Sequence, residues 1–282
     1  MESKVRFGPA GNSESFKGKT VDIADYVAGM GLNAYEYQCG RGVRVNEAAV
    51  TELGRKAREM DIALSLHAPY YISLSSLEEE KRLASVDYIL QSARAARLMG
   101  ATRVIVHSGS CAKISRGEAL ELAKDTIGKA LKALDDEGFG DIAVCPETMG
   151  KVNQLGTLEE VVELCLLDER LIPCIDFGHL NARDLGAFKS FEDYARVFEY
   201  MEDKLGINRL RSFHSHFSKI EYSAGGEKRH LTFADTVYGP DFEPVAELTL
   251  RKGAHPTFIC ESDGTQAEDA ATMRSILEEK MR

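Results

Sequence analysis

Five of the seven histidines in this 282-residue sequence follow a short apolar run directly or within a few residues. They are His67 in LSLHAPYY, His107 in VIVHSGS, His179 in CIDFGHL, and His214 with His216 in SFHSHFSK. Carboxylates hold matching places, with Glu147 in VCPETMG, Asp176 in CIDFGHL and Glu261 in FICESDG. Gathered in an apolar interior without partners, such groups would each cost on the order of several kcal/mol. Divalent cations remove that cost by supplying the compensating charge. Mixed nitrogen and carboxylate ligation suits zinc, with manganese, cobalt or iron as further candidates, whereas calcium and magnesium favour all-oxygen shells. A glutamate between two histidine-containing groups would bridge two ions about 3.5–4 Å apart, a spacing suited to in-line attack on phosphorus. Phosphoester hydrolysis is the chemistry these residue types favour.

Residues 30 to 40 apart in sequence can converge like this where parallel strands end at one face. The chain supplies eight candidate strands, at Val5–Gly8, Ala34–Tyr37, Ile62–Leu66, Arg103–Val106, Ile142–Cys145, Ile172–Ile175, Arg211–Phe213 and Thr257–Cys260. Amphipathic stretches alternate with them, as in Leu120, Ala123, Ile127, Ala130, Leu131 and Leu134, with apolar positions three and four apart. Gly31, Gly100 and Gly138 follow such stretches, where left-handed caps are expected. Eight strand–helix pairs predict an α/β fold, a (β/α)8 TIM barrel occupying residues 1–282 as one domain, a length that fits the roughly 250 residues typical of the fold. An open doubly wound sheet would carry a glycine-rich phosphate loop after its first strand, and FGPAGNS is a poor version of one.

Composition narrows the setting. No apolar run is long enough to span a membrane and the N-terminus lacks a leader pattern, so a cytoplasmic protein is expected. The six cysteines form no CxxC pair and are expected to be reduced and mostly buried. The formal net charge of −10 gives no general attraction to nucleic acid, although metal ligands carry part of it and a basic rim can coexist with it. Glu36, near the second strand's end, is expected at the rim or paired with an arginine, and His255 before Pro256 reads as a loop residue.

Taken in order, LHAPYY, VIVHSG, PETMG, IDFGHL, HSHFSK, KRH and CESDG resemble the endonuclease IV family, zinc-dependent AP endonucleases with TIM-barrel folds that incise DNA 5′ to abasic sites. The resemblance runs from His67 to Glu261. It implies a first zinc on His67, His107 and Glu147, and a second on Glu147, Asp176, His214 and Glu261. A third would sit on His179 and His230. A zinc-activated hydroxide would attack the phosphorus, with Glu261 orienting or deprotonating it and Glu147 bridging the metals. Two or three zinc ions are thus implied, with manganese or another divalent metal as a substitute.

The same resemblance implies a monomer acting on double-stranded DNA with abasic sites, with no membrane partner. Tyr70 and Tyr71 match the loop that enters the duplex, and Arg41 and Arg44 match an arginine that reaches DNA; Lys219, read from its residue type alone, is a candidate phosphate contact. His216 stands where the family has Asn, as a partner of a ligand or a substrate contact. The sequence departs from the family at Lys228-Arg229-His230, where Asp-Arg-His is usual. Glu227 would have to substitute, or the third site is weak or empty. The rival reading is a sugar isomerase or epimerase on the same barrel, using one metal on Glu147, Asp176, His214 and Glu261. A barrel that binds a metal or a DNA lesion without turnover is a third reading.

Overall fold

The computed structural model describes residues 4–282. Its strands are short and buried: β1 (Arg6–Pro9), β2 (Ala34–Gln38), β3 (Ala63–His67), β4 (Arg103–Val106), β5 (Ala143–Pro146), β6 (Cys174–Asp176) and β7 (His214–Phe217). An antiparallel hairpin of β8 (Ile220–Ser223) and β9 (Gly226–His230) comes next, and β10 (Thr257–Cys260) completes the set. Two four-stranded parallel sheets form, ordered β2-β3-β4-β5 and β1-β10-β7-β6. Narrow parallel bridges join them, Ala10 to Glu36 on one side and Val144 to Leu171 with Glu147 to Cys174 on the other. The result is a closed eight-stranded barrel made of two half-barrels.

The strand period of two assigns side chains to inside and outside. Phe7, Tyr35, Leu64, Leu66, Val104, Val106, Val144, Ile175, Phe217 and Phe258 belong to the large core shared with the helices. Two small apolar groups stand apart from it, Ala10 with Ala34 and Ile259, and Ile105 with Cys145 and Cys174. The strand positions in step with them are polar yet buried, among them Glu36, Ser65, His67, Asp176, His214 and His216. Gly8 marks the tightest point of this interior, since a Cβ there would fall onto the carbonyl of Ala34.

The helices are α1 (Ile23–Gly29), α2 (Glu47–Glu59), α3 (Glu79–Met99), α4 (Arg116–Asp136), α5 (Leu158–Cys165), α6 (Phe177–Arg183), α7 (Phe191–Leu205), α8 (Ile207–Leu210), α9 (Glu243–Arg251) and α10 (Gln266–Lys280). Ser115 with Glu118 and Thr157 with Glu160 form reciprocal caps at the starts of α4 and α5, satisfying amides that a helix start leaves open. Gly31, Gly100 and Gly138 do adopt positive φ at helix ends. All six cysteines are free thiols and five are buried. Among the described residues no helix is long and apolar enough to cross a membrane.

The sixth strand starts at Cys174 where Ile172 was expected, α6 and α8 are additional to the eight expected helices, and two further differences bear on the site. The seventh strand begins at His214, because Arg211 and Ser212 are taken up by backbone bonds to Ile207 and Arg209 at the end of α8. His214 is therefore the strand's first residue, and His216 lies nearer its C-terminal end. The hairpin β8–β9 lies in a polar segment with no clear alternation, so the strand count from apolar runs passes over it.

Phe258 is fully buried, stacked on Phe7 at 5.5 Å and edge-on to Phe213 and Phe242. Phe258→Ala is expected to cost about 3–5 kcal/mol, the usual range for a buried phenylalanine, read as a lower urea midpoint. A loss under about 1 kcal/mol would contradict this packing.

Candidate metal centre

Glu147 follows directly on β5 and is almost fully buried. Its Oε2 lies 3.4 Å from His67 Nε2 and 3.3 Å from His107 Nε2, while Oε1 lies 2.9 Å from His216 Nδ1 and 3.4 Å from His179 Nδ1. Burial opposes ionisation, but the charge of His216 and hydrogen bonds from His107, His179 and His216 hold this carboxyl well below its usual range. His67 Nδ1 donates to the Ala68 carbonyl (2.8 Å) and His179 Nδ1 to the Thr148 carbonyl (2.9 Å). Each ring thereby keeps its Nε2 lone pair free for a cation.

Asp176 ends β6 and caps α6, its Oδ1 accepting from the His179 amide at 2.7 Å. Its Oδ2 is buried and accepts no well-directed hydrogen bond among the described residues, with His179 Nδ1 3.2 Å away. Desolvation, with the charges of Glu261 and Glu147 adding to it, raises this carboxyl to about 6 despite the nearby His179. A buried acceptor without a well-directed donor is what a cation site leaves behind when only protein atoms are counted. Potential donor atoms fall within 4.8 Å of one another in four groups: His67, His107 and Glu147; Glu147, Asp176, His216 and Glu261; His179, His230 and Glu261; and, deeper in the barrel, Cys174, His214 and His216. Nitrogen and carboxylate oxygen in these numbers fit zinc or manganese.

This arrangement corrects the expectation for His214. It was to complete the group of Glu147, Asp176 and Glu261, and His216 holds that position. The strand register explains the exchange, since His214 is level with Cys174 and His216 with Asp176. His214 sits one layer deeper, its Nε2 3.0 Å from Glu36 Oε2. His216 is fully buried, so it has no surface for substrate. Glu36 is no rim residue either. It is completely buried beneath His216, and the pattern that could have revealed it is the single charged position between Tyr35 and Tyr37.

The third group departs from the family pattern through backbone geometry. The pairing of β8 with β9 shifts at Glu221 and Tyr222, where Tyr222 pairs with Glu227 and Glu221 with Arg229, leaving Lys228 as an extra residue. Lys228 and Arg229 both bind the Glu221 carboxylate. This bulge lets Glu227 and His230, three apart, line the same cleft, where alternation alone would separate them. Glu227 Oε2 lies 3.4 Å from His179 Nε2. Gly150 makes room for both, since a Cβ there would come within 2.8 Å of each side chain. His230 Nδ1 is 2.8 Å from Ser218 Oγ and 4.0 Å from Glu261.

Two cavities of about 600 and 420 Å³ open above these groups and share Tyr70, Glu227, His230 and Glu261, so they form one cleft. The Tyr70 ring stacks on His107 at 5.4 Å and meets His67 edge-on. Tyr71 turns away toward Tyr88. Arg41, Lys228 and Arg229 line the outer cavity together with Glu227, Glu261 and Asp263, and of the three cations Lys228 and Arg229 are paired with Glu221. Lys219 instead donates to the Asp235 carbonyl and lines neither cavity. His255 lines pockets formed by residues such as Lys4, Arg6 and Thr257, away from this cleft.

Residues 24–279 match the xylose isomerase-like TIM barrel family. An uncharacterized protein of Methanocaldococcus jannaschii is 32% identical over 265 residues, 93% of each chain. A probable endonuclease 4 of Acholeplasma laidlawii is 24% identical over 166 residues, 58% of this chain and 55% of that protein, so the match spans about half of that relative. Among solved structures, endonuclease IV of Thermus thermophilus superposes with a TM-score of 0.71 at 21% identity, covering 97% of this chain and 99% of that one. A D-tagatose 3-epimerase-like protein superposes at 0.73 and 20%, covering 98% and 97%. These structural likenesses are of fold.

Metal-stripped protein equilibrated with zinc is expected to take up two or more ions per chain by mass spectrometry. At zinc about 1,000 times the dissociation constant the bound form should gain roughly 4 kcal/mol of stability, reversed by a chelator. Asp176→Asn should lower the stoichiometry, and an unchanged zinc content would remove Asp176 from the centre.

Proposed function

Because the chain belongs to the xylose isomerase-like TIM barrel family, we propose that it is a metal-dependent phosphodiesterase that cuts duplex DNA 5′ to abasic sites. One observation carries this reading: imidazoles beyond those a single-metal isomerase needs face the same cleft. A proton transfer beside a carbonyl calls for one group such as Glu147, Asp176, His216 and Glu261. His67 and His107 on one side, and His179 and His230 on the other, add two more.

Zinc or manganese bound in these groups would supply Lewis acidity toward phosphoryl oxygens and make a coordinated water more acidic. His67, His107 and one oxygen of Glu147 would hold the first ion. The other Glu147 oxygen, with Asp176, His216 and Glu261, would hold the second. Glu261 belongs to two groups at once, a position from which its carboxylate would orient a water and take its proton. His179, His230 and Glu227 would hold a third ion, with Glu227 taking the place of the family's aspartate.

Substrate contacts follow from the rim. The Tyr70 ring, exposed above His107, would enter the gap left by a missing base and stack there, offsetting the cost of opening the duplex. Arg41 and Arg229 would meet backbone phosphates, which makes binding weaken as salt rises. The fold likeness to the epimerase-like protein supports a second reading, a sugar epimerase using the Glu147–Asp176–His216–Glu261 group alone.

An oligonucleotide duplex with one synthetic abasic site separates the two. Chelator-sensitive cutting on its 5′ side is expected, with Glu261→Gln slower by about 10²–10⁴-fold, the usual worth of a positioned acid or base. No cutting by zinc-loaded protein, together with epimerisation of a ketose, would replace this reading with the second. Tyr70→Ala should weaken incision or binding about 10-fold, consistent with roughly 1–3 kcal/mol per stacked ring, and Tyr71→Ala should not. Glu227→Gln should lower the bound zinc by one ion and Lys228→Ala should leave it unchanged. The reverse pattern would assign the third group to Lys228.

A further inference from the structure

Beneath the cleft, the polar side chains inside the barrel converge on Glu36. This residue is fully buried in β2, and its carboxylate faces donors on every side. Oε2 accepts from Ser65 Oγ at 2.9 Å and lies 3.0 Å from His214 Nε2. Oε1 accepts from Gln38 Nε2 at 3.1 Å and lies 2.9 Å from His216 Nε2.

The neighbours decide where the protons sit. Arg103 Nη1 is 3.4 Å from His214 Nδ1, and a guanidinium can only donate. His214 Nδ1 therefore accepts, and its proton is on Nε2, facing Glu36. His216 spans two carboxylates, with Nδ1 2.9 Å from Glu147 Oε1 and Nε2 beside Glu36. That Nε2 makes no well-directed hydrogen bond to any described atom as the ring now stands; Glu36 Oε1, 2.9 Å away, is the nearest carboxylate oxygen to it, and Cys174 and His214 also lie close to this ring.

We propose that Glu36 is a positioning residue: its carboxylate, 2.9 Å from His216 Nε2, keeps that nitrogen the protonated one, so that a cation in the group of Glu147, Asp176 and Glu261 would take the place of the Nδ1 proton that otherwise points to Glu147. The inference rests on the metal-centre reading above. A carboxylate behind a ligating imidazole fixes its tautomer and orientation and strengthens it as a donor. Glu36 does this from across the barrel, since β2 and β7 belong to different half-barrels. Ser65, Gln38 and His214 hold the carboxylate in turn. Its acceptor positions are filled by those donors, leaving Glu36 to act on a metal through His216 only. Glutamine at position 36 would present an amide N–H to one of these two pairs of donors, and the imidazole in that pair would have to turn or change tautomer.

The test compares the wild-type chain with Glu36→Gln, using Zn²⁺ competed against a chromophoric chelator and the visible spectrum of the Co²⁺-loaded protein. The melting temperature of each metal-free protein is measured in parallel. One class of zinc site is expected to weaken 10–100-fold, with a changed cobalt spectrum and the remaining ions retained. Wild-type affinity and spectrum in Glu36→Gln, even with a lower melting temperature, would overturn the proposal and leave Glu36 a purely structural residue. A cobalt–thiolate absorption lost in Cys174→Ser would also overturn it, because His216 Nε2 would then ligate alongside Cys174 and His214. If the wild-type chain binds neither metal, the metal-centre reading fails and this inference with it. Should Glu36→Gln fail to fold, Glu36→Asp decides: the charge stays but the carboxylate withdraws by one methylene, so a weaker site and altered spectrum are expected, and unchanged values overturn the proposal.

Discussion

The contact of one carboxylate, Glu147, with four imidazoles organises the interior of this barrel. His67, His107, His179 and His216 reach it from β3, the end of β4, α6 and β7. A buried anion is tolerated only with charge and hydrogen bonds around it, so each of these elements must stop at the depth that delivers its ring. The apolar residues that would fill the upper barrel are displaced, and the small inner clusters at Ala10, Ala34 and Ile259 and at Ile105, Cys145 and Cys174 are what remains. Stability comes instead from the outer core, where strands meet helices.

Much of this was legible because strands and ligands share one periodicity. The runs at Arg103–Val106 and Thr257–Cys260 were read to the residue, and the barrel followed from the count of strand–helix pairs. His214 was the donor that the family resemblance implied, and a resemblance of motifs carries no strand register. Here the register sets His216, two residues on, level with Asp176 and leaves His214 one layer down. Glu36 was misplaced differently: a lone charge between two tyrosines reads as surface unless the inside of the barrel is known to be polar. The role of Glu227 depends on a bulge, and a bulge in a polar hairpin leaves no periodic trace.

The same constraint separates an inner group of donors from those around it. The inner group of Glu147, Asp176, His216 and Glu261 uses residues at the ends of β5, β6, β7 and β10 and is complete by itself. The histidines on either side of it come from separate elements, and the hairpin that brings Glu227 and His230 is an addition outside the barrel. Chemistry in such a scaffold is extended by adding donors around a fixed centre, with the strands themselves unchanged.

The two half-barrels meet along narrow seams, carried by the bridges at Ala10–Glu36, Val144–Leu171 and Glu147–Cys174. His67, His107 and Glu147 stand on one half, and Asp176, His216 and Glu261 on the other. Ions held between these residues would act as rivets across the seam, and Glu36 reaching to His214 and His216 is a crossbeam below them. Below the metal-ligating layer, the two halves are thus tied by side chains where the backbone ladder is thinnest. A cation in that layer would bind both halves at once, so its binding and the closure of the barrel would favour one another.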